Sequence, residues 1–460
     1  MEKAKIIIVG ASHGGHQSIL ELLTRYGNNV DIKLFESGDF ISFMSCGMEL
    51  YLEDKVTDVT DVRNFRPENF PQDNVAILNN HTVTAINADK KTVTVTDKNN
   101  NKTQKFSYDK LILSSGVTPK SLPVPGADLD NVFLMRGYDW ATKIKSKLTD
   151  DSVKNVTVIG AGYIGIEAAE VCKNAGKNVT IIDVIDRPLG TYLDSELTDI
   201  LSDHLKANNI SVMTNATIKE FTGENNAVTA VKTLNESVAT DLVIQAAGVQ
   251  ANTDWLKGTV DLDSRGWIQT NEYLQTNLPD VYAIGDATLA YSIPAQTKVP
   301  IALATVARRE ARYVVKHLFE QTPSQPFAGV VGSSALSVFD YHFAASGLNS
   351  FTAERAGITV SNSFYEDSLR PKYVPNEQGN TKVSVQLFFN PITHQILGGA
   401  VLSDYDITAQ GNVLALAIQH KLTLEDLAEA DFFFQPGFDR QWSLLNLAAQ
   451  HALGEEHFVE

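Results

Sequence analysis

Asn155-Val156-Thr157-Val158-Ile159-Gly160-Ala161-Gly162-Tyr163-Ile164-Gly165 is the stretch whose reading decides this fold. Its first five residues form a β-rich run that leads straight into a Gly-x-Gly-x-x-Gly turn. A helix to about Ala175 and a strand over Asn178–Ile182, ending on Asp183, follow. Glycines at those positions permit a tight turn and let the backbone approach a pyrophosphate, which then rests on the unpaired N–H groups of a helix start. Asp183 follows Gly160 by 23 positions (183 minus 160), where a carboxylate accepts hydrogen bonds from ribose hydroxyls and repels a 2′-phosphate. The stretch therefore reads as an NADH-binding unit made by Gly160, Gly162, Tyr163, Ile164, Gly165 and Asp183.

The same unit occurs earlier in the chain. Lys5–Val9 runs into Gly10-Ala11-Ser12-His13-Gly14-Gly15, a helix through Leu23, and a strand over Asp31–Phe35 ending on Glu36. Ser12 replaces the middle glycine, and Glu36 stands 26 positions after Gly10 (36 minus 10), placed like a ribose-binding acid. This is a duplication of a strand-turn-helix-strand unit. Between the copies, Thr92–Asp97 and Lys102–Ser107 read as a hairpin around Asn99-Asn100-Asn101. A third block begins near Pro326, with strands over Lys382–Phe389 and Ile396–Leu402 and helices over Ala409–His420 and Gln441–Leu453. It lacks a glycine-rich turn and reads as an α+β domain with no nucleotide of its own. The expected class is α/β, with two Rossmann-like dinucleotide domains plus that C-terminal domain.

Length and charge narrow the function. The chain has 460 residues, enough for about three domains of ordinary size. A net charge of -17 argues against nucleic acid, whose phosphates need clustered Lys and Arg. Neither a membrane span nor a secretory leader is read from the sequence, and cytoplasmic localisation is the expectation. The two cysteines, Cys46 and Cys172, are 126 positions apart (172 minus 46) and suggest neither a disulfide framework nor a metal site.

Cys46 lies in Ser42-Phe43-Met44-Ser45-Cys46-Gly47-Met48, with helix-capping residue types before it and a possible helix over Gly47–Leu52. A helix start favours a thiolate, so a lowered pKa is expected there. With no second cysteine beside it, its redox chemistry is thiolate to sulfenic acid and back. Cys172, amid Ala168, Ala169 and Val171, reads as packing, and His16 as solvent-facing or core.

The order of these segments, together with Asn277-Leu278-Pro279-Asp280-Val281-Tyr282-Ala283-Ile284-Gly285-Asp286-Ala287, resembles the pyridine nucleotide-disulfide oxidoreductases over essentially the whole chain. Ser12 to Gly15, Phe40 to Met48 and Phe432-Phe433-Phe434-Gln435-Pro436 resemble their NADH peroxidase and NADH oxidase branch. Asp183 to Gly190 and Asp431 to Pro436 look closer to the peroxidase.

The resemblance implies a glutathione reductase-like fold. Residues 1–120 and 251–325 would bind FAD, 121–250 NADH, and 326–460 would form the interface domain. It implies FAD contacts at Gly10, Ser12, Gly14, Gly15, Glu36, Ser114, Gly116, Gly285 and Asp286, the last reaching the ribityl chain. Catalysis would fall to Cys46 cycling through sulfenic acid, with His13 and Arg308. Tyr163 would shield the flavin until nicotinamide displaces it. Val306 departs from an Asn common in the branch. The Phe432 run would approach the flavin pocket of a second subunit, in a homodimer or homotetramer.

Hydrogen peroxide is the first oxidant expected, with water-forming reduction of oxygen as the alternative. Coenzyme A disulfide reduction ranks third, because Ser45 replaces the Asn usual before that family's cysteine. A non-enzymatic redox sensor is disfavoured by the presence of two nucleotide units.

Overall fold

A computed structural model describes residues 3–70, 73–321 and 323–455. The first unit builds a five-stranded parallel sheet in the order Val281–Ala283, Lys110–Leu113, Ala4–Val9, Val30–Phe35, Val75–Leu78. The second builds another, ordered Ile210–Met213, Asn178–Ile182, Asn155–Ile159, Leu242–Gln245, Val132–Leu134. In each, the strand before the glycine turn is central, and its residues are buried on both faces, as in Ile6, Ile7 and Ile8. Fully burying one such side chain contributes about 1.5–3 kcal/mol, so these short strands anchor their domains.

Residues from Ser333 onward form a five-stranded antiparallel sheet, Ser333–Val338, Tyr341–Gly347, Ile396–Ser403, Lys382–Phe389, Ser361–Ser368. The helices Gln410–Gln419 and Leu444–Ala452 cover it through Leu414, Ile418, Leu445 and Ala449. The hairpin Thr92–Asp97 with Lys102–Ser107 forms where expected.

Three local readings change. The Asn376–Asn380 loop contains a 3₁₀ turn over Asn376–Gln378. The strand before Asp286 spans only Val281–Ala283, and Gly285–Ala287 is a 3₁₀ turn. Around Cys46 there is a 3₁₀ turn, Ser45–Gly47, and then a helix of five residues, Met48–Leu52, neither capped by a side chain.

Candidate functional site

The two glycine turns superimpose in their chemistry. Gly10 has φ +100° and Gly160 φ +103°, and a Cβ on either would collide with the backbone oxygen of Ser114 (2.2 Å) or Ala246 (2.6 Å). Gly15 and Gly165 lie so close to the strand end that a Cβ would sit 2.0 and 1.9 Å from the oxygens of Gly10 and Gly160. The acids that end the next strands brace the turns from the side. Glu36 accepts the N–H of Ala11 at 3.0 Å, and Asp183 accepts that of Ala161 at 2.6 Å. Each carboxylate is thereby aimed along the turn, where a ribose would lie.

The middle of the turns differs. A Cβ at Gly14 would stand 2.5 Å from Ser114 Oγ and 3.1 Å from Ile284 Cδ1, whereas the matching residue in the second turn is the exposed Ile164. Ser12 and Gly162 both precede their helices without a side-chain cap, leaving the first-turn N–H groups for a ligand. Ser114 is buried beside this turn, and Gly116 has φ +62°. Gly285, at φ +71°, places Asp286 half-buried beside Arg136, whose Nη2 lies 3.2 Å from its carboxylate. Cradles that a single Cβ would fill, flanked by an aimed acid and open helix N–H groups, fit a dinucleotide at both turns.

Cys46 and His13 come together from different segments: Cys46 Sγ is 3.8 Å from His13 Nε2. His13 is the first residue of the His13–Tyr26 helix, not part of the turn, so its ring projects from a fixed helix start. Burial, then the positive charge of Arg308, holds His13 below the usual imidazole range. The expected lowering of the Cys46 pKa does not occur. Although its surface is exposed, the crowding of protein around Cys46 pushes its thiol up, and Glu167 adds to this; its own backbone N–H, Arg136 and Arg308 oppose it. A 3₁₀ turn followed by five helical residues offers too few aligned peptides to overcome desolvation.

Arg308 lies behind His13, half-buried. It donates to Gln17 Oε1 at 3.0 Å and Asn64 Oδ1 at 2.8 Å, and its Nη2 is 3.3 Å from His16 Nδ1. These neutral partners leave its charge uncancelled, unlike a surface salt bridge. His16 is buried, stacked on Phe65 at 4.8 Å, and burial with Arg308 lowers its pKa to about 4. Because Arg308 only donates, His16 Nδ1 is the acceptor. Val306 packs in the core with Ala290 and Val330. Cys172 is fully buried, as read from sequence.

Tyr163 occupies in the second turn the place of His13 in the first. Its ring stacks on Tyr192 at 4.2 Å, and its hydroxyl lies 2.7 Å from Ser334 Oγ on the C-terminal sheet. Burial raises its pKa, so it stays an O–H. Glu167, one helical turn on, is pushed up to about 8 by burial, with Glu49 and Glu170 adding to the effect. Phe433 and Phe434 of the aromatic run are exposed, as is the nearby Phe438, while Phe432 packs against the C-terminal core.

Residues 4–311 match the model of the pyridine nucleotide-disulphide oxidoreductases, and residues 333–444 match the dimerisation domain of that family. This chain belongs to that family. It is 38% identical to the NADH oxidase of Enterococcus faecalis over 450 residues, covering 98% of this chain and 99% of the relative. Its structure resembles that of a water-forming NADH oxidase from Lactobacillus brevis bound to NADH, with a TM-score of 0.93 and 36% identity over 98% of each chain. A coenzyme A disulfide reductase of Staphylococcus aureus is 27% identical over 455 residues, covering 97% of this chain and 99% of the relative. The protein is therefore a flavoprotein oxidoreductase that uses FAD and NADH. The Enterococcus and Lactobacillus relatives carry the name NADH oxidase, whereas the Asp183–Gly190 and Asp431–Pro436 segments led to the expectation of a peroxidase. Among the described residues, no helix is long and apolar enough to cross a membrane, and no group of His, Cys, Asp and Glu is placed to hold a metal.

Arg136, Glu167, His16, Gln17 and Asn64 were not picked out as site residues from sequence. Gln17 had a usable signal, lying one helical turn from His13. Asn64 and Arg136 had none, because segments distant in sequence bring Asn64 to Arg308 and Arg136 to Asp286.

Proposed function

We propose that this chain is a water-forming NADH oxidase. The observation that carries the reading is Cys46 Sγ 3.8 Å from a neutral His13, in a chain similar over nearly its full length to NADH oxidases. Residues 1–120 and 251–325 would hold FAD, which would supply the hydride-accepting chemistry that links NADH to the oxidant and to the sulfur. Gly10, Ser12, Gly14, Gly15, Ser114 and Gly116 would shape its pyrophosphate side, Glu36 would receive its ribose, and Gly285 would present Asp286 to its ribityl chain. Residues 121–250 hold NADH through Gly160, Gly162, Ile164, Gly165 and Asp183, with Tyr163 moving aside for the nicotinamide.

One NADH and one proton reduce oxygen to hydrogen peroxide, releasing NAD⁺. His13 takes the proton of the Cys46 thiol, a base being needed because crowding disfavours the thiolate. The sulfur then attacks peroxide: an S–O bond forms, the O–O bond breaks, and hydroxide leaves with the proton held on His13 as water. A second NADH reduces the sulfenic acid to thiol, and its oxygen departs as the second water. Two NADH, two protons and one oxygen thus give two NAD⁺ and two water molecules. Burial, with Arg308, keeps His13 a neutral base, and the Arg308 charge favours the anionic sulfur. Exposed Phe433 and Phe434 suit burial against a second subunit in a homodimer or homotetramer, and the cytoplasm is the proposed compartment. Oxygen uptake with peroxide detection tests the reading; stoichiometric release of peroxide would count against it.

A further inference from the structure

We propose that Glu310 is a positioning residue for the flavin: as an uncharged acid beneath the Gly285–Asp286 turn it fixes Asp286, and its ionisation loosens FAD. The proposal rests on FAD at the first unit and is independent of the oxidant. Glu310 lies on the Ala304–Lys316 helix, on a buried face shared with Val306, Ala307, Ala311 and Val314, and is 1% exposed. Its Oε2 accepts the N–H of Gly285 at 2.6 Å. The same helix seats the turn sterically, since a Cβ at Gly285 would approach Ala307 Cβ to 3.2 Å. The turn carrying Asp286 is therefore held to the helix by one acid and one close contact.

Two charged groups face this carboxyl: the Asp286 carboxylate on the turn, and Lys298 on the strand Thr297–Val299. Lys298 directs its ammonium elsewhere, to Thr270 Oγ1 at 3.1 Å, Asn271 O at 3.2 Å and the Thr270 carbonyl. Asp286 is itself faced by Arg136. Burial pushes the Glu310 carboxyl up to about 8, and Asp286 adds to this against the Gly285 N–H and Lys298. Glu310 is then protonated at neutral pH, sparing the fold a buried unpaired charge.

A bound dinucleotide brings negative phosphates and excludes water, and both raise the Glu310 pKa further. The FAD-bound form thus holds its proton more tightly than the FAD-free form. By linkage, FAD affinity falls as pH rises above about 8, by up to about tenfold per pH unit. Below that pH both forms are protonated at Glu310, and this dependence vanishes.

The test follows flavin release by its fluorescence between neutral and alkaline pH, with the folded state monitored by circular dichroism. The wild type should lose affinity with rising pH. Glu310→Gln should retain FAD with no such decline, and Glu310→Ala should bind FAD weakly at every pH. A flat wild-type profile, an unchanged decline in Glu310→Gln, or a Glu310→Gln protein that folds without flavin would each overturn the proposal. Normal FAD affinity in Glu310→Ala would remove the positioning role. If Glu310→Ala fails to fold, the Gln comparison decides. Because release of FAD is the readout, a failed oxidase assignment leaves this result interpretable.

Discussion

The turns Gly10–Gly15 and Gly160–Gly165 share one backbone and serve two chemistries. Outer glycines, the strand end behind them and the bracing acids Glu36 and Asp183 are equivalent in both. What differs is the residue that opens the helix. His13 reaches Cys46, whereas Tyr163 stacks on Tyr192 and meets Ser334. Sterics set by glycine make the scaffold, and the first helical side chain gives each unit its task. The inner residues follow: Gly14 has Ser114 and Ile284 at its back, and Ile164 is exposed.

The largest effect should separate those inner positions. Gly14→Ala drives a methyl to 2.5 Å from Ser114 Oγ, so the protein should purify largely free of flavin, while Ile164→Ala should keep full flavin absorbance. Equal flavin content in the two variants would break the contrast between the turns. Exchanging the base tests the helix starts next. His13→Ala should slow peroxide consumption at Cys46 by roughly 100-fold in stopped-flow, within the range for general base catalysis, with hydride transfer from NADH little changed. Loss of hydride transfer instead would place His13 in the wrong half-reaction.

A smaller effect is expected at the bracing acids. Asp183→Ala should relax the preference for NADH over NADPH by about tenfold in kcat/KM, since it removes the carboxylate that repels a 2′-phosphate. Unchanged discrimination would sink that role. The mildest expectation concerns pH. Sulfur oxidation should hold steady near neutrality and fall only below the usual imidazole pKa, as the depressed His13 finally takes its proton. A rate falling from pH 7 downward would mean that Arg308 and burial do not act on His13 as described.

Much of this was legible in sequence, and for an identifiable reason. The strands Asn155–Ile159, Asn178–Ile182, Thr92–Asp97 and Lys382–Phe389 form over the residues read for them, because glycine turns and β-rich runs are local signals. A meeting of Cys46 with His13 was expected from their places around the first nucleotide unit and from a family likeness, and Cys46 Sγ stands 3.8 Å from His13 Nε2. The state of the thiol was not legible. A helix start predicts a depressed pKa, but crowding by protein far away in sequence, including Glu167, decides it. Likewise Arg308 has its partners in two separate segments, His16 and Gln17 on one helix and Asn64 elsewhere, and no spacing encodes that convergence. The motifs set peroxide before oxygen on two segments only, Asp183–Gly190 and Asp431–Pro436, because the sulfur that reduces peroxide serves in either reaction.

The most direct test of the account is the ratio of NADH to oxygen consumed by the purified holoenzyme, with peroxide measured in the same vessel. A ratio of two NADH per oxygen and no peroxide is the predicted result, changing to one per oxygen with stoichiometric peroxide in Cys46→Ser. A wild-type ratio of one with peroxide released, or turnover with peroxide alone and none with oxygen, would contradict it.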